Sequence, residues 1–272
     1  MKLVEAIKRL TEAGIESAPY EARELFYAFG GYKRFELLSP DSDCSTDEFL
    51  NAMEHRIRRE PLQYIIGSVD FYRESYFVTP DVLIPRSDTE ILVDVAVKGL
   101  PSGALFADLC CGSGCVAIST LNNTNNTRCI AVDISPAALA VAEKNAVRNG
   151  VDGRVKFVRC DLLHDLPDGM EDGRFDAILS NPPYVRDDVY EELESEIFHE
   201  PKAAFVGGED GLDFYRRLTP IYKTKLKSDG FIAYEIGYDQ ADALMQIAEE
   251  NGMKCRIIKD LSGNDRVAEL RY

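Results

Sequence analysis

The sequence predicts an α/β protein with a mostly parallel sheet, preceded by a small helical bundle. Three observations predict it. From Ala104 onward, short apolar runs alternate with amphipathic stretches, the pattern of strands covered by helices on both faces. Carboxylates, glycines and an amide recur just past the ends of those runs, where open α/β sheets bind ligands. Before Pro61, by contrast, the apolar residues follow helical spacing alone.

Residues 1–60 read as helices. Leu3, Ile7 and Leu10 fall on one face of the first. Ser17 caps a second, with Pro19 in its first turn and Ala22, Leu25, Phe26 and Phe29 inside, and Gly30-Gly31 ends it. Ser45 or Thr46 caps a third, in which Phe49, Met53 and Ile57 form the apolar stripe. Arg56, Arg58 and Arg59 at its carboxyl end are expected as solvated helix-end charges rather than a docking patch. Residues 61–85 change character: 63–67, 71–72 and 76–78 are short β-type runs broken by Gly, Asp and Pro, which suggests a hairpin connector. Ser87-Asp88-Thr89-Glu90 fits a capping box opening a helix through Val97, with Arg86 just ahead of it. Strands are then expected at 104–109, 128–132, 154–159, 174–180, 230–236, 254–260 and 265–271. Helices are expected at 114–121, 136–149, 211–226 and 239–250. The last two strands have no helix between them and should pair antiparallel through residues 261–264.

Of 272 residues, 45% are hydrophobic and 29% charged, enough apolar content for a sizeable core. A net charge of −16 argues against broad binding to nucleic-acid phosphates. No stretch stays apolar for the roughly 18 residues a membrane span needs. Met1-Lys2-Leu3-Val4-Glu5 carries an acid early and lacks a signal-peptide core. The expectation is a cytoplasmic monomer. Seven cysteines are present, and Cys110, Cys111 and Cys115 cluster without nearby histidine or paired Cys-x-x-Cys spacing. Free thiols and no metal site are therefore expected. His55, His164 and His199 read as surface or structural residues.

The chemistry gathers at strand ends. One run leads into Asp108-Leu109-Cys110-Cys111-Gly112-Ser113-Gly114, where glycines let backbone approach a ligand closely. The next ends in Asp133, whose carboxylate is placed to accept ribose hydroxyls, and Ser135-Pro136 follows in cap-then-proline order. The third ends in Cys160-Asp161-Leu162, where an aspartate is placed to take an adenine amino group. The fourth ends in Ser180-Asn181-Pro182-Pro183-Tyr184. Two prolines stop the strand, having no N–H for a ladder. An amide, carbonyls without a competing N–H and an aromatic face then stand side by side, a set suited to a flat, neutral NH2 group. A proline-rich turn alone would also explain Asn-Pro-Pro, and Gly112-x-Gly114-x-x-Ala117 also satisfies a relaxed dinucleotide pattern. The set of Asp108, Gly112, Gly114, Asp133, Asp161 and Asn181 is far more specific than either.

These residues resemble the class I S-adenosylmethionine-dependent methyltransferases, specifically the family that methylates a glutamine amide in peptide chain release factors (the PrmC, or HemK, family). The resemblance spans essentially the whole chain. It runs through Arg59-Glu60-Pro61-Leu62-Gln63-Tyr64-Ile65-Ile66-Gly67, Phe71-Tyr72 and Val82-Leu83-Ile84-Pro85-Arg86-Ser87-Asp88-Thr89-Glu90. It continues through Asp108 to Gly114, Asn181-Pro182-Pro183-Tyr184-Val185, Glu200-Pro201 and Gly208-Glu209-Asp210-Gly211-Leu212. Asn-Pro-Pro-Tyr alone also fits adenine-N6 DNA methyltransferases; the segment from Pro61 to Glu90 points to the release-factor family.

The resemblance implies a Rossmann-like sheet of seven strands, mostly parallel with an antiparallel last strand, in a methyltransferase domain over residues 86–272. It implies S-adenosylmethionine as cofactor, S-adenosylhomocysteine as product, and a release-factor docking role for the bundle at 1–60. Asp108 and the loop of Cys110, Cys111, Gly112, Ser113 and Gly114 would lie under the methionine part, Asp133 at the ribose, and Asp161 and Leu162 at the adenine, with Asn181 bordering the cofactor. Asn181, Pro182, Pro183 and Tyr184 would bind the glutamine amide, with Phe71 and Arg86 shaping the pocket. Interdomain packing accounts for Phe71 equally well. Two positions depart from the family pattern: Cys110-Cys111 replace the first two residues of a Gly-Thr-Gly loop, and Leu162 stands where an aromatic often stacks on adenine.

An amide nitrogen is a poor nucleophile because its lone pair is delocalised into the carbonyl. Acceptors at Asn181 and the Pro182 carbonyl would draw its hydrogens aside and aim the lone pair, with Tyr184 holding the amide plane. Three rivals stay open on sequence alone: a DNA adenine methyltransferase, a nicotinamide oxidoreductase, and a non-catalytic binding module that the Cys110-Cys111 loop closes to the cofactor.

Overall fold

The protein is described over residues 1–272 by a computed structural model, and it divides into two compact units. The first comprises Met1–Ser68 together with Glu194–His199. Its helices are α1 (Leu3–Glu12), α2 (Ala18–Phe29), α3 (Asp47–Ile57) and the short α4 (Leu62–Ile66). Leu3, Leu10, Leu25, Phe26 and Phe49 make its core, with Phe26 and Phe49 meeting edge to face at 4.8 Å. Thr46 caps α3 by accepting the Phe49 N–H at 3.2 Å. Ser17 instead donates its hydroxyl to Glu21 at 2.8 Å and caps nothing.

Two further expectations fail in this unit. Residues 63–66, expected as a β-type run, are helical. Leu62, Ile65 and Ile66 all pack on the helical core, and the i, i+3, i+4 spacing that allows this outweighs β propensity. Arg56 is also not a solvated helix-end charge. It is 5% exposed, paired with Glu21, and its Nη2 donates to Glu196 at 3.2 Å. Arg59 reaches the same Glu196 at 2.8 Å. Only Arg58 of the three is exposed.

The second unit comprises Val69–Leu193 and Glu200–Tyr272. A hairpin of β1 (Ser68–Phe71) and β2 (Glu74–Phe77) leads to α5 (Glu90–Gly99). The expected capping box does not form. Ser87–Thr89 is a 3-10 turn, and the Glu90 carboxylate accepts the Tyr72 N–H at 2.7 Å instead of turning back on its own helix. Beyond α5, strands and helices alternate: β3 (Leu105–Leu109), α6 (Cys115–Asn122), β4 (Arg128–Asp133), α7 (Pro136–Arg148), β5 (Val155–Arg159) and β6 (Phe175–Ser180). There follow α8 (Asp187–Tyr190), α9 (Asp213–Tyr222), β7 (Leu226–Glu235), α10 (Ala241–Glu250), β8 (Lys254–Lys259) and β9 (Asp265–Arg271).

The seven-stranded sheet has the order β5-β4-β3-β6-β7-β9-β8, and β9 alone runs antiparallel to both of its neighbours. Along each central strand, alternate residues feed two cores. Leu109, Val132, Ile178 and Tyr234 face one layer of helices, and Phe106, Ala131, Leu179 and Phe231 the other. The chain steps outward from β3 to β5, then returns to β6 on the far side of β3, so the order reverses between β3 and β6. Leu109 pairs with Val132 and with Ser180, and Ser180 with Tyr234. The carboxyl ends of all these strands therefore share one edge, and the crevice opens there. No helix of the protein is long and apolar enough to cross a membrane.

Candidate active site

At the end of β3 the chain turns through Cys110 (φ 60°), Gly112 (φ 53°) and Gly114 (φ 79°) before α6 begins. Gly114 has to be glycine: a Cβ there would lie 3.1 Å from both Ala142 and Ile118, in a left-handed backbone. Cys110 holds a similar left-handed conformation with a side chain attached, which stores about 1–2 kcal/mol of strain. The loop is tied down from two sides. Gly112 donates its N–H to Asp133 Oδ2 at 2.8 Å, and Ser113 C=O accepts from the buried Asn145 amide of α7 at 2.9 Å. Asn145 also accepts the Phe77 N–H at 2.7 Å and donates to the Phe77 C=O at 3.0 Å. It thereby copies a strand partner and joins β2 to the loop.

Electrostatics at this edge are set by burial. Burial pushes the Asp108 carboxyl up to about 8, against the hydrogen bond its carboxylate accepts from Ala117 N–H and with help from the charge of Asp133. Asp133 is also raised by burial, against the N–H groups of Ser135 and Gly112. Asp161 accepts the Leu163 N–H at 3.1 Å.

The turn after β6 is clamped from behind. Gln240 donates to the Tyr184 C=O at 3.1 Å, and Gly207 donates its N–H to the Val185 C=O at 2.8 Å. Gly211 packs so closely that a Cβ would sit 2.3 Å from the Tyr184 carbonyl oxygen. A Cβ at Gly207 would likewise sit 2.5 Å from the Pro183 carbonyl oxygen. Asn181 donates its amide to Thr89 Oγ1 at 3.2 Å, so its carbonyl oxygen is the free end. Tyr184 donates its hydroxyl to Glu235 Oε1 at 3.4 Å. Across the mouth, Glu200 accepts the Ile84 N–H at 2.9 Å and pairs with Arg86.

These groups border one crevice of about 640 Å³. Arg86, Asp108, Cys110, Cys111, Gly112, Ser113, Asp133, Asp161, Leu162, Asn181 and Pro183 all line it. Gly114 lies behind the loop, Pro182 is buried beside the crevice, and Tyr184 stands behind Asn181 against Glu235. Phe71 does not reach it; the ring is 3% exposed in the apolar core, edge to face with Tyr76 at 5.9 Å. Sequence reasoning passed over Thr89, Glu235 and Phe214. Thr89 and Phe214 line the crevice, and Glu235, 2% exposed, ends β7 at the same edge. The signal for Glu235 was available, since a carboxylate closing the apolar run 231–234 repeats the pattern that singles out Asp133.

A sheet of this order, with one antiparallel strand and a glycine loop at its reversal point, defines a class I methyltransferase, and this protein is an enzyme of that class. The methyltransferase small domain matches residues 87–209, and the PrmC N-terminal domain matches residues 2–67. The ribosomal protein L11 methylase structure from Lactobacillus delbrueckii subsp. bulgaricus shares the fold, with a TM-score of 0.51 at 21% identity over 72% of this chain and 84% of that one. The release factor glutamine methyltransferase of Geobacter sulfurreducens is 37% identical over 264 residues, 95% of this chain and 91% of the relative. That of Clostridium botulinum is 36% identical over 277 residues, 99% of this chain and 97% of the relative. The chain belongs to the release factor glutamine methyltransferase family.

Proposed function

We propose that the protein methylates the side-chain amide nitrogen (N5) of a glutamine in class I peptide chain release factors, with S-adenosylmethionine as donor. The observation that carries this reading is the outward-facing carbonyl of Asn181. Its NH2 end is committed to Thr89, so the crevice is offered an acceptor, which suits an amide N–H.

The donor set fits the cofactor. Asp108 and Asp133 place two carboxyl groups at the edge of the crevice, complementary to a cationic ligand, and Gly112 leaves open space where a Cβ would stand. Leu162, Ile134, Ala138 and Phe214 supply an apolar lining, so the aromatic face missing at Leu162 is available from α9. When bound, S-adenosylmethionine supplies an electrophilic methyl group on a sulfonium. Asp133 would hold the ribose, Asp161 and Leu162 the adenine, and residues 110–114 the methionine portion.

The remaining work is done by the turn after β6. Asn181 Oδ1 and the Pro182 carbonyl would each accept one hydrogen of the substrate amide, turning its nitrogen lone pair toward the methyl carbon. Tyr184, held by Glu235, backs this turn and keeps it from rotating. Arg86, anchored on Glu200, stands at the mouth. Positioning and preorganised dipoles supply the catalysis, with no covalent enzyme intermediate. The N-terminal unit would dock the release factor.

Mass spectrometry of a class I release factor incubated with protein and cofactor tests the reading. One methyl on a glutamine is expected; methyl on adenine in a parallel duplex-DNA reaction would overturn it. Asn181→Ala is expected to keep cofactor binding while lowering turnover by roughly 100-fold.

A further inference from the structure

A side-chain amide presents either oxygen or NH2, and the reading of Asn181 above works with only one of them. What fixes the choice is therefore part of the machinery. Thr89 Oγ1 accepts the Asn181 Nδ2–H at 3.2 Å, and the same hydroxyl bears on Glu235, whose charged form it favours. The Glu235 carboxyl beside it has a buried Oε2 that makes no other hydrogen bond. Its Oε1 is held by Tyr184, and its backbone C=O by the Tyr215 hydroxyl at 2.8 Å.

We propose that Glu235 is a positioning residue for methyl transfer: its carboxylate accepts a hydrogen bond from the Thr89 hydroxyl, which obliges Thr89 to accept from Asn181 and turns the Asn181 carbonyl oxygen into the crevice. The chain of donors has a direction. An ionised Glu235 only accepts, so Thr89 donates to it and accepts from Asn181 Nδ2. A neutral Glu235 can donate to Thr89, which frees Thr89 to donate to Asn181 Oδ1. The asparagine then presents NH2 to a substrate that also presents NH2, and the site is lost.

The surroundings hold this group near its switching point. Burial pushes the Glu235 carboxyl up to about 7. The Thr89 hydroxyl, Arg266 of β9 and the Tyr184 hydroxyl favour its charged form, while Asp88 disfavours it. Arg266 is itself shared with Asp88 at 3.1 Å and Asp260 at 3.3 Å, which tempers its effect. Tyr215 of α9 and Cys115 of α6, whose ionisation Glu235 suppresses, are neutral neighbours. The sign follows: a carboxyl raised above its ordinary range works only when ionised, so turnover is lost as pH falls through about 7.

The test uses the full-length protein, S-adenosylmethionine and a class I release factor, with kcat followed from about pH 5.5 to 9. With S-adenosylmethionine held saturating at every pH, wild type is expected to lose kcat below about pH 7. Glu235→Gln is expected to lower kcat by about 100-fold and to flatten that profile, while cofactor titration shows wild-type affinity. Wild-type turnover and profile in Glu235→Gln would overturn the proposal. If that variant fails to bind cofactor, Thr89 decides: Thr89→Ser should turn over at least about tenfold faster than Thr89→Val. Equal rates would overturn the assignment. Should wild type methylate no release factor, the substrate reading falls separately, and isotope-edited NMR of the Asn181 side chain still judges the network. Its NH2 resonances are expected to move with the Glu235 carboxyl as pH crosses about 7; resonances that stay fixed would overturn it.

Discussion

Asp108 shows how one buried carboxyl makes ligand affinity a function of pH. At 1% exposure its proton is retained up to about pH 8, so a cationic ligand binding below that value must displace it. The ionised form is the binding form, and affinity therefore rises with pH and levels off above about 8. Calorimetric titration of S-adenosylmethionine is expected to show a dissociation constant about tenfold larger for each unit below that value. Asp108→Asn removes this dependence and binds more weakly at high pH. An unchanged slope in the variant would assign the proton to another group. The same residue marks where sequence reading stops. That an aspartate ends β3 is legible from the apolar run before it; that it holds its proton near neutrality comes from burial in the fold and from the charge of Asp133 at the end of β4.

At the level of elements, Asn145 joins three of them with one side chain. Replacing it by leucine leaves the Phe77 N–H, the Phe77 C=O and the Ser113 C=O without their partner. Denaturant unfolding is expected to show a loss of about 2–4 kcal/mol, larger than a simple change of polarity at a helix surface would give. Nothing in the sequence announces this clamp, because Asn145 lies 68 residues from Phe77 and only packing brings them together. Periodicity located the strands of the sheet to within a residue or two, apart from β7, which begins at Leu226 rather than 230. That the parallel strands share one carboxyl edge follows from the βαβ connection rule. Local signals failed where tertiary contacts outbid them. Residues 63–66 became helix to reach the bundle core, and Glu90 left its capping box for the backbone of Tyr72.

At the scale of the molecule, two cores are held by different physics. The second unit rests on two apolar layers around a sheet, whereas the first combines an apolar core with a buried ionic cluster of Arg56, Glu21 and Glu196. Arg56→Ala would leave Glu21, 7% exposed, without its cation. A loss of about 3–5 kcal/mol is expected for that variant, and much less for the double replacement of Glu21 and Arg56 by leucine. All residues lining the crevice belong to the second unit, so cofactor titration of Arg56→Ala should still give wild-type affinity. No charge pattern along the chain announces the cluster. Three arginines in a four-residue span look alike, and only the fold separates the buried one from its exposed neighbour.

The cysteines of the crevice carry one more consequence. Cys110, Cys111, Cys115 and Cys160 line the space assigned to a methyl donor. Thiolates are far better nucleophiles than amides and would capture that methyl themselves. Burial suppresses the ionisation of all four, assisted by the charges of Asp133 at Cys110 and Cys111 and of Asp165 at Cys160, and pushes the Cys115 thiol up to about 12. Burial and neighbouring carboxylates thus shield the enzyme from alkylating itself, and cysteine is tolerated in the loop.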